Sequence, residues 1–162
     1  MKATKISFED ILPIWENKLW PNRESAIEGI SAMTWPYEGN PEPIDMNIFE
    51  YQPTFYGVFM DNKLIGVNSG HRTTDTQYRS RGIWVDPDYR KRGVAQLLFV
   101  LTEHQARIEK CEMMWSIPRK TALTAYTKFG FTRRGPFGDY GDDPASVFME
   151  KSLDETHDLS AP

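Results

Sequence analysis

Apolar residues recur along this chain at two spacings, and each change of spacing marks an element. Ile11, Ile14, Trp15 and Leu19 lie three or four apart behind Ser7 and Asp10, a serine with an acid three positions on, which is how a helix start satisfies its own amides. Thr4 to Ser7 reads as a short strand before it, and Trp20-Pro21 closes the helix, because the residue ahead of a proline is pushed out of helical geometry. Arg23 to Met33 predicts a second short helix. Pro36 to Asp45, with three prolines and one glycine, is a long connection and a candidate binding loop.

From Thr54 the period falls to two. Phe55 to Met60 and Leu64 to Gly70, joined at Asp61-Asn62-Lys63, read as a hairpin, with Gln77 to Val85 as a third strand ended by Pro87. Val94, Leu97, Leu98, Leu101 and Ile108 restore helical spacing and predict a helix over Arg90 to Lys110. Met113 to Ile117, apolar and stopped by Pro118, reads as a central strand. Thr121 to Phe129 sets Ala122, Ala125, Tyr126 and Phe129 on one helical face, with Gly130 as its C-cap. Phe131 to Pro136 and Ser146 to Leu153 are the last strands, and Phe137 to Pro144 a glycine- and aspartate-rich loop between them. The order is strand, helix, helix, three strands, helix, strand, helix, two strands. It predicts an α+β fold with a mixed, mostly antiparallel sheet of six or seven strands and about four helices on its faces.

No linker or repeat divides the 162 residues, so 1–153 is expected to form one domain and the polar stretch 154–162 a frayed tail. A composition 40% hydrophobic and 13% aromatic excludes a disordered chain. The formal net charge of −4 opposes nucleic acid and anionic membranes as partners, so any bound anion needs a local site. One cysteine, Cys111, cannot form a disulfide within the chain; it reads as a small core residue, with a nucleophile as the alternative. The N-terminus lacks an apolar leader segment, and the longest apolar runs, such as Leu97 to Leu101, are five residues, so the expected location is cytoplasmic.

Candidate chemistry gathers at Y-R-K-R-G-V-A-Q-L-L, Tyr89 to Leu98, where three cations run into Gly93 and Ala95 as the helical pattern begins. Helix starts present unpaired amides and a partial positive charge, which complement an anion, and small side chains let it approach the backbone. A solvated cationic helix start is the alternative, although cations there oppose the helix dipole. G-x-x-x-x-G-K-[ST] and G-x-G-x-x-G are both absent, which excludes an ordinary nucleoside triphosphatase and a nicotinamide enzyme.

The run I-W-V-D-P-D-Y-R-K-R-G-V-A-Q-L-L resembles the acetyl-coenzyme A motif of the Gcn5-related N-acetyltransferases (GNAT), [Q/R]-x-x-G-x-[G/A] behind a strand ending V-x-P, with Arg90, Gly93 and Ala95 in the signature positions. A second family element, A-x-x-x-Y-x-x-x-G-F, stands at Ala122, Tyr126, Gly130 and Phe131. The resemblance implies the GNAT fold and direct acetyl transfer from acetyl-CoA, as cosubstrate, to a primary amine of a small molecule, without a metal. It implies that the strand ending at Val85 splays from Met113–Ile117 and that the pantetheine arm lies in the gap along Ile83, Trp84 and Val85. The pyrophosphate would rest on Arg90, Lys91, Arg92, Gly93, Val94, Ala95 and Gln96. The amide of Val85 or its neighbour would polarise the thioester carbonyl, and Tyr126 would protonate the leaving thiolate; a core tyrosine packed with Ala122 and Phe129 is the alternative.

The histone-type branch of that family places a glutamate base about eleven positions ahead of the signature. Arg79 stands there and cannot serve. His71 or a water relay remains as the base, His71 being otherwise a strand-end residue that faces solvent. Arg79 and Arg81 share a strand face and would bind a carboxylate or phosphate on the acceptor, rim charge balanced by Asp75 or glutamates being the alternative. Arg119, where many relatives carry Asn, would reach a phosphate, and Trp20, Trp35 and Tyr37 would wall the acceptor pocket. Homodimers are common among relatives. A coenzyme-binding module without transfer activity is the competing reading; a nucleic-acid binder would need a basic stripe that the chain lacks.

Overall fold

Ser7 opens the first helix as its spacing predicts: its hydroxyl accepts the Asp10 amide, and the Asp10 carboxylate accepts the Ser7 amide, both at 3.1 Å. The structure is a computed structural model and describes residues 1–33, 48–140 and 143–153. The predicted loop Pro36 to Asp45, with Trp35 and Tyr37, and the tail 154–162 lie outside the described residues.

Strand β1 (Lys2–Ile6) leads into α1 (Phe8–Ile14), which contains Pro13. Proline withholds an amide from the helical ladder. Directly behind it the helix widens into a π-helical turn, Trp15–Leu19, where the Trp20 amide reaches back five residues to the Trp15 carbonyl at 2.8 Å. The Asn17 side chain donates to the Pro13 carbonyl at 2.8 Å. This geometry buries Ile11, Trp15 and Leu19 against Phe55. The expected helix over Arg23 to Met33 is not formed; the segment runs through bends. Its backbone is taken by side chains of the sheet instead: the Glu28 carbonyl accepts Arg81 Nη1 at 2.7 Å, and the Ser31 amide donates to His71 Nε2 at 3.4 Å.

Six further strands follow: β2 (Thr54–Met60), β3 (Lys63–Arg72), β4 (Gln77–Val85), β5 (Met113–Ser116), β6 (Thr132–Tyr140) and β7 (Asp143–Ser152). They form one sheet in the order β1-β2-β3-β4-β5-β7-β6, parallel only between β4 and β5. Asp61 and Asn62 make the β2–β3 turn at φ 49° and 67°, a conformation these residue types tolerate. The predicted loop Phe137 to Pro144 is largely strand. Its described backbone pairs across the hairpin at Gly138↔Ser146 and Tyr140↔Asp143, and shifts of register on either side absorb Gly138.

Among the described residues there are three α-helices rather than four: α1, α2 (Val94–Ile108) and α3 (Lys120–Phe129). α2 starts at Val94, not Arg90, because Lys91 and Gly93 hold φ at 62° and 84°, outside the right-handed helical region. Val94 and Leu98 pack over Tyr56, Val58 and Ile65 on one side of the sheet, whereas Phe55 of β2 points to α1 on the other. α3 lays Tyr126 against Phe99 and Phe131, with ring centroids 4.5 and 4.9 Å away. Cys111 lies in the same cluster, where burial pushes its thiol up to about 11 and leaves it a small core residue. No helix among the described residues is long and apolar enough to cross a membrane.

Candidate active site

Strands β4 and β5 separate soon after they meet. Their pairing covers Gln77↔Met113, Tyr78↔Met114 and Arg79↔Trp115, after which β4 runs on to Val85 while β5 ends at Ser116. The first carbonyl past the ladder, that of Ser80, accepts the Ser116 hydroxyl at 2.7 Å. The Tyr126 hydroxyl sits at this fork, 2.8 Å from Ser80 Oγ and 3.0 Å from Ser116 Oγ, and is buried. Burial raises its pKa, opposed in part by the Ser116 and Ser80 hydroxyls and by the Arg79 charge, so the phenol carries its proton at neutral pH.

On its other edge β4 bulges. Val67 pairs with Trp84 and Ser69 with Arg81, so Asn68 alone opposes Gly82 and Ile83. Gly82 takes φ 79°, and its carbonyl accepts the Trp15 indole N–H at 2.9 Å. A cavity of about 380 Å³ opens beside the fork, lined by Tyr126, Ser80, Ser116, Trp20 and Arg79 among others.

Past the end of β4 the chain passes through a short 3-10 turn, Pro87–Tyr89, to Arg90, whose Nε donates to the Val85 carbonyl at 3.1 Å. Lys91 and Gly93 then turn through left-handed geometry, and a Cβ on Gly93 would meet nothing within 4 Å. The first backbone amide of α2 to find a helical partner is that of Leu97, on the Gly93 carbonyl at 3.1 Å. The amides of Val94, Ala95 and Gln96 therefore begin the helix facing an open, cation-rimmed loop. The predicted cationic first turn is thus a cationic loop ahead of the helix.

The model of the acetyltransferase (GNAT) family matches residues 17–131 of this chain. The chain belongs to the GNAT acetyltransferase family. It is 36% identical over 74 residues to the IAA acetyltransferase of Azospirillum brasilense, a match that covers 44% of this chain and about half, 48%, of that relative. Ard1 from Thermoplasma volcanium has a similar structure, with a TM-score of 0.64 at 16% identity over 95% of this chain and 98% of the other. The PaiA N-acetyltransferase from Thermoplasma acidophilum, in complex with coenzyme A, gives a TM-score of 0.55 at 17% identity over 66% and 65% of the two chains.

Around this GNAT fork the other predicted residues fall into distinct places. His71 does not face solvent; it is fully buried. Its Nδ1 lies 3.0 Å from the Arg72 carbonyl and its Nε2 accepts the Ser31 amide, so both ring nitrogens of the neutral imidazole are occupied. Burial lowers its pKa to about 3, with the Arg79 and Arg81 charges acting the same way against the Arg72 carbonyl. Arg79 and Arg81 both line the cavity. Arg81 is buried with its guanidinium 5.0 Å from the Trp15 ring and 5.3 Å from that of Trp20, while Arg79 lies 5.0 Å from the Trp115 ring. Arg119, expected to reach a phosphate, donates from Nη2 to the Leu19 carbonyl at 2.6 Å. Gln96 ties α2 to α3 through the Ala125 carbonyl at 3.2 Å.

Sequence reasoning missed Asn68, Ser80, Ser116 and the Gly82 bulge. A glycine inside a strand pattern is a bulge signal, and the serines had one too, as polar residues in strands otherwise built for the core.

Proposed function

We propose that this GNAT protein transfers an acetyl group from acetyl-CoA to a primary amine of a small molecule held in the cavity beside Tyr126. The observation that carries this is the fork: β4 leaves its ladder with β5 after Arg79 and runs on to Val85, with a protonated phenol at the apex and an open amide-rich loop at the far end. A pantetheine arm fits as a substitute strand along Ile83 to Val85, and a diphosphate fits the loop from Lys91 to Gln96. Lys91 and Arg92 supply charge there, while Arg90 pins the loop to the strand end.

In this scheme the neutral amine attacks the thioester carbon, the carbon–sulfur bond breaks with its electron pair going to sulfur, and the Tyr126 hydrogen follows to give the free thiol. An amide of β4 near the Gly82 bulge faces the developing oxyanion, because Val85, five residues beyond Ser80 on an extended strand, is too far from the Tyr126 hydroxyl for one thioester to meet both. His71 has no lone pair to spare, so water in the open cavity takes the amine proton. Arg79, Arg81 and Arg119 in the cavity wall favour an acceptor that also carries a carboxylate or phosphate.

Thiol release from acetyl-CoA, followed over a panel of primary amines with and without an acid group, tests the reading. Amine-dependent release is expected, and Tyr126→Phe is expected to lower kcat about a hundredfold with little change in KM for acetyl-CoA. Tight binding of acetyl-CoA without release to any amine would instead make the protein a coenzyme-binding module.

A further inference from the structure

Four buried polar side chains, Thr102, Asn68, Ser80 and Ser116, converge through the core on the Tyr126 hydroxyl. Thr102 donates to the Leu98 carbonyl at 2.8 Å, which uses its only hydrogen, so its oxygen can only accept from Asn68 Nδ2, 3.0 Å away. That fixes the Asn68 amide, whose nitrogen also donates to Ser80 Oγ at 3.0 Å. Ser80 Oγ lies 2.8 Å from the Tyr126 oxygen, and either hydroxyl can donate while the phenol is neutral; a phenolate can only accept from Ser80. Ser116 has one hydrogen and two acceptors in reach: the Ser80 carbonyl at 2.7 Å and the Tyr126 oxygen at 3.0 Å. While the phenol holds its hydrogen, the Ser116 hydrogen can rest on the Ser80 carbonyl. These four side chains and Tyr126 are buried.

We propose that Ser116 is a positioning residue that acts through Tyr126: it rests its hydrogen on the Ser80 carbonyl and swings it onto the phenolate oxygen when the phenol hydrogen passes to the leaving sulfur. This rests on Tyr126 acting as the acid, as proposed above. The step balances without a further reactant. The phenol O–H bond breaks and an S–H bond forms, the electron pair of the carbon–sulfur bond stays with sulfur before it takes the proton, and Ser116 keeps its hydrogen and changes only the acceptor. The phenolate is then held by two donors, Ser80 and Ser116, and regains a proton from the cavity water that takes the surplus one of the product amide. Asn68 contributes by keeping Ser80 turned the right way. Hydrogen bonds to a charged group exceed those to a neutral one, so Ser116 stabilises the state after proton transfer more than the state before it.

A double-mutant cycle on the full chain tests this, with thiol release from acetyl-CoA as the readout, both to water alone and to each amine of the panel. Ser116→Ala should lower the rate at saturating acetyl-CoA about ten- to a hundredfold and leave KM for acetyl-CoA within about twofold. In the Tyr126→Phe background the same change should have no further effect. Ser116→Thr, which keeps the hydroxyl, should retain most of the rate. Multiplying losses in the double variant, or an unaltered rate in Ser116→Ala while Tyr126→Phe is impaired, overturns the role of Ser116. A Tyr126→Phe variant as fast as the wild type removes instead the acid role on which it rests.

Discussion

Two glycines in left-handed geometry separate backbone strain from steric strain, and Gly82→Ala set against Gly93→Ala exploits the difference. Their φ values are nearly equal, 79° and 84°, so the backbone cost of a side chain is common to both, about 1–2 kcal/mol. Their surroundings differ. A Cβ on Gly93 meets nothing within 4 Å, whereas one on Gly82 would lie 2.3 Å from Trp15 Nε1 and 2.5 and 2.6 Å from two indole carbons. The Trp15 indole is fully buried and cannot retreat freely. Overpacking of this kind costs about 1–3 kcal/mol, and a stretched indole bond to the Gly82 carbonyl about 1 kcal/mol more. Gly82→Ala should therefore destabilise by about 3–6 kcal/mol and Gly93→Ala by about 1–2 kcal/mol. In a domain of this size each kcal/mol shifts Tm by about 2–4 °C, so Gly82→Ala should melt roughly 10 °C below the wild type and Gly93→Ala only a few degrees below. Thermal melting and urea titration of both variants measure this. Equal losses in the two would refute the clasp between Trp15 and the bulge as a steric constraint.

Three further outcomes are expected. His71 is held neutral by burial with its pKa near 3, whereas in the unfolded chain it binds a proton below about pH 6.5, so this contribution is full above that value and is lost as pH falls toward 3. The loss should reach about 2 kcal/mol between pH 7 and pH 5, and urea titrations of His71→Asn should show a correspondingly flatter slope; an identical slope would contradict the burial of the ring. Replacing Lys91 and Arg92 together by Ala should raise KM for acetyl-CoA about tenfold with kcat within twofold, and the penalty should shrink at high salt; a salt-independent or kcat-only effect would take the diphosphate away from that loop. Cys111, buried with its thiol pushed up to about 11, should resist a thiol-reactive dye in the native protein and react at once in denaturant; fast native labelling would place it outside the core.

The elements legible in the sequence were those whose signals are local. The Ser7–Asp10 box, the hairpin around Asp61-Asn62, the bounds of β4 and the cap at Gly130 each depend on residues a few positions apart. The two motif stretches were legible for the same reason, since Gly93 and Tyr126 stand at fixed offsets within single elements. What failed depends on distant partners. Arg23 to Met33 has helical spacing, yet its peptide groups are claimed by Arg81 and His71 from the sheet. Neither a general base nor a solvent-facing ring, the two expectations for His71, allows for its cover by Ser31, 40 positions earlier, which nothing local announces. Arg119 and Leu19 are likewise 100 positions apart, and Ser80 and Tyr126 46. Such encounters are set by how strands are ordered in the sheet, which no spacing rule encodes.

The indole of Trp15 belongs to the segment whose Leu19 and Trp20 border the proposed acceptor cavity, and it also grips the kink in the strand along which the acyl donor is proposed to lie. Acceptor choice and donor affinity are in that sense not modular. A graft of residues 8 to 20 from a relative, made to change which amine is taken, would also reset the bend of that strand, and its success should depend on whether the incoming segment brings a ring of matching size.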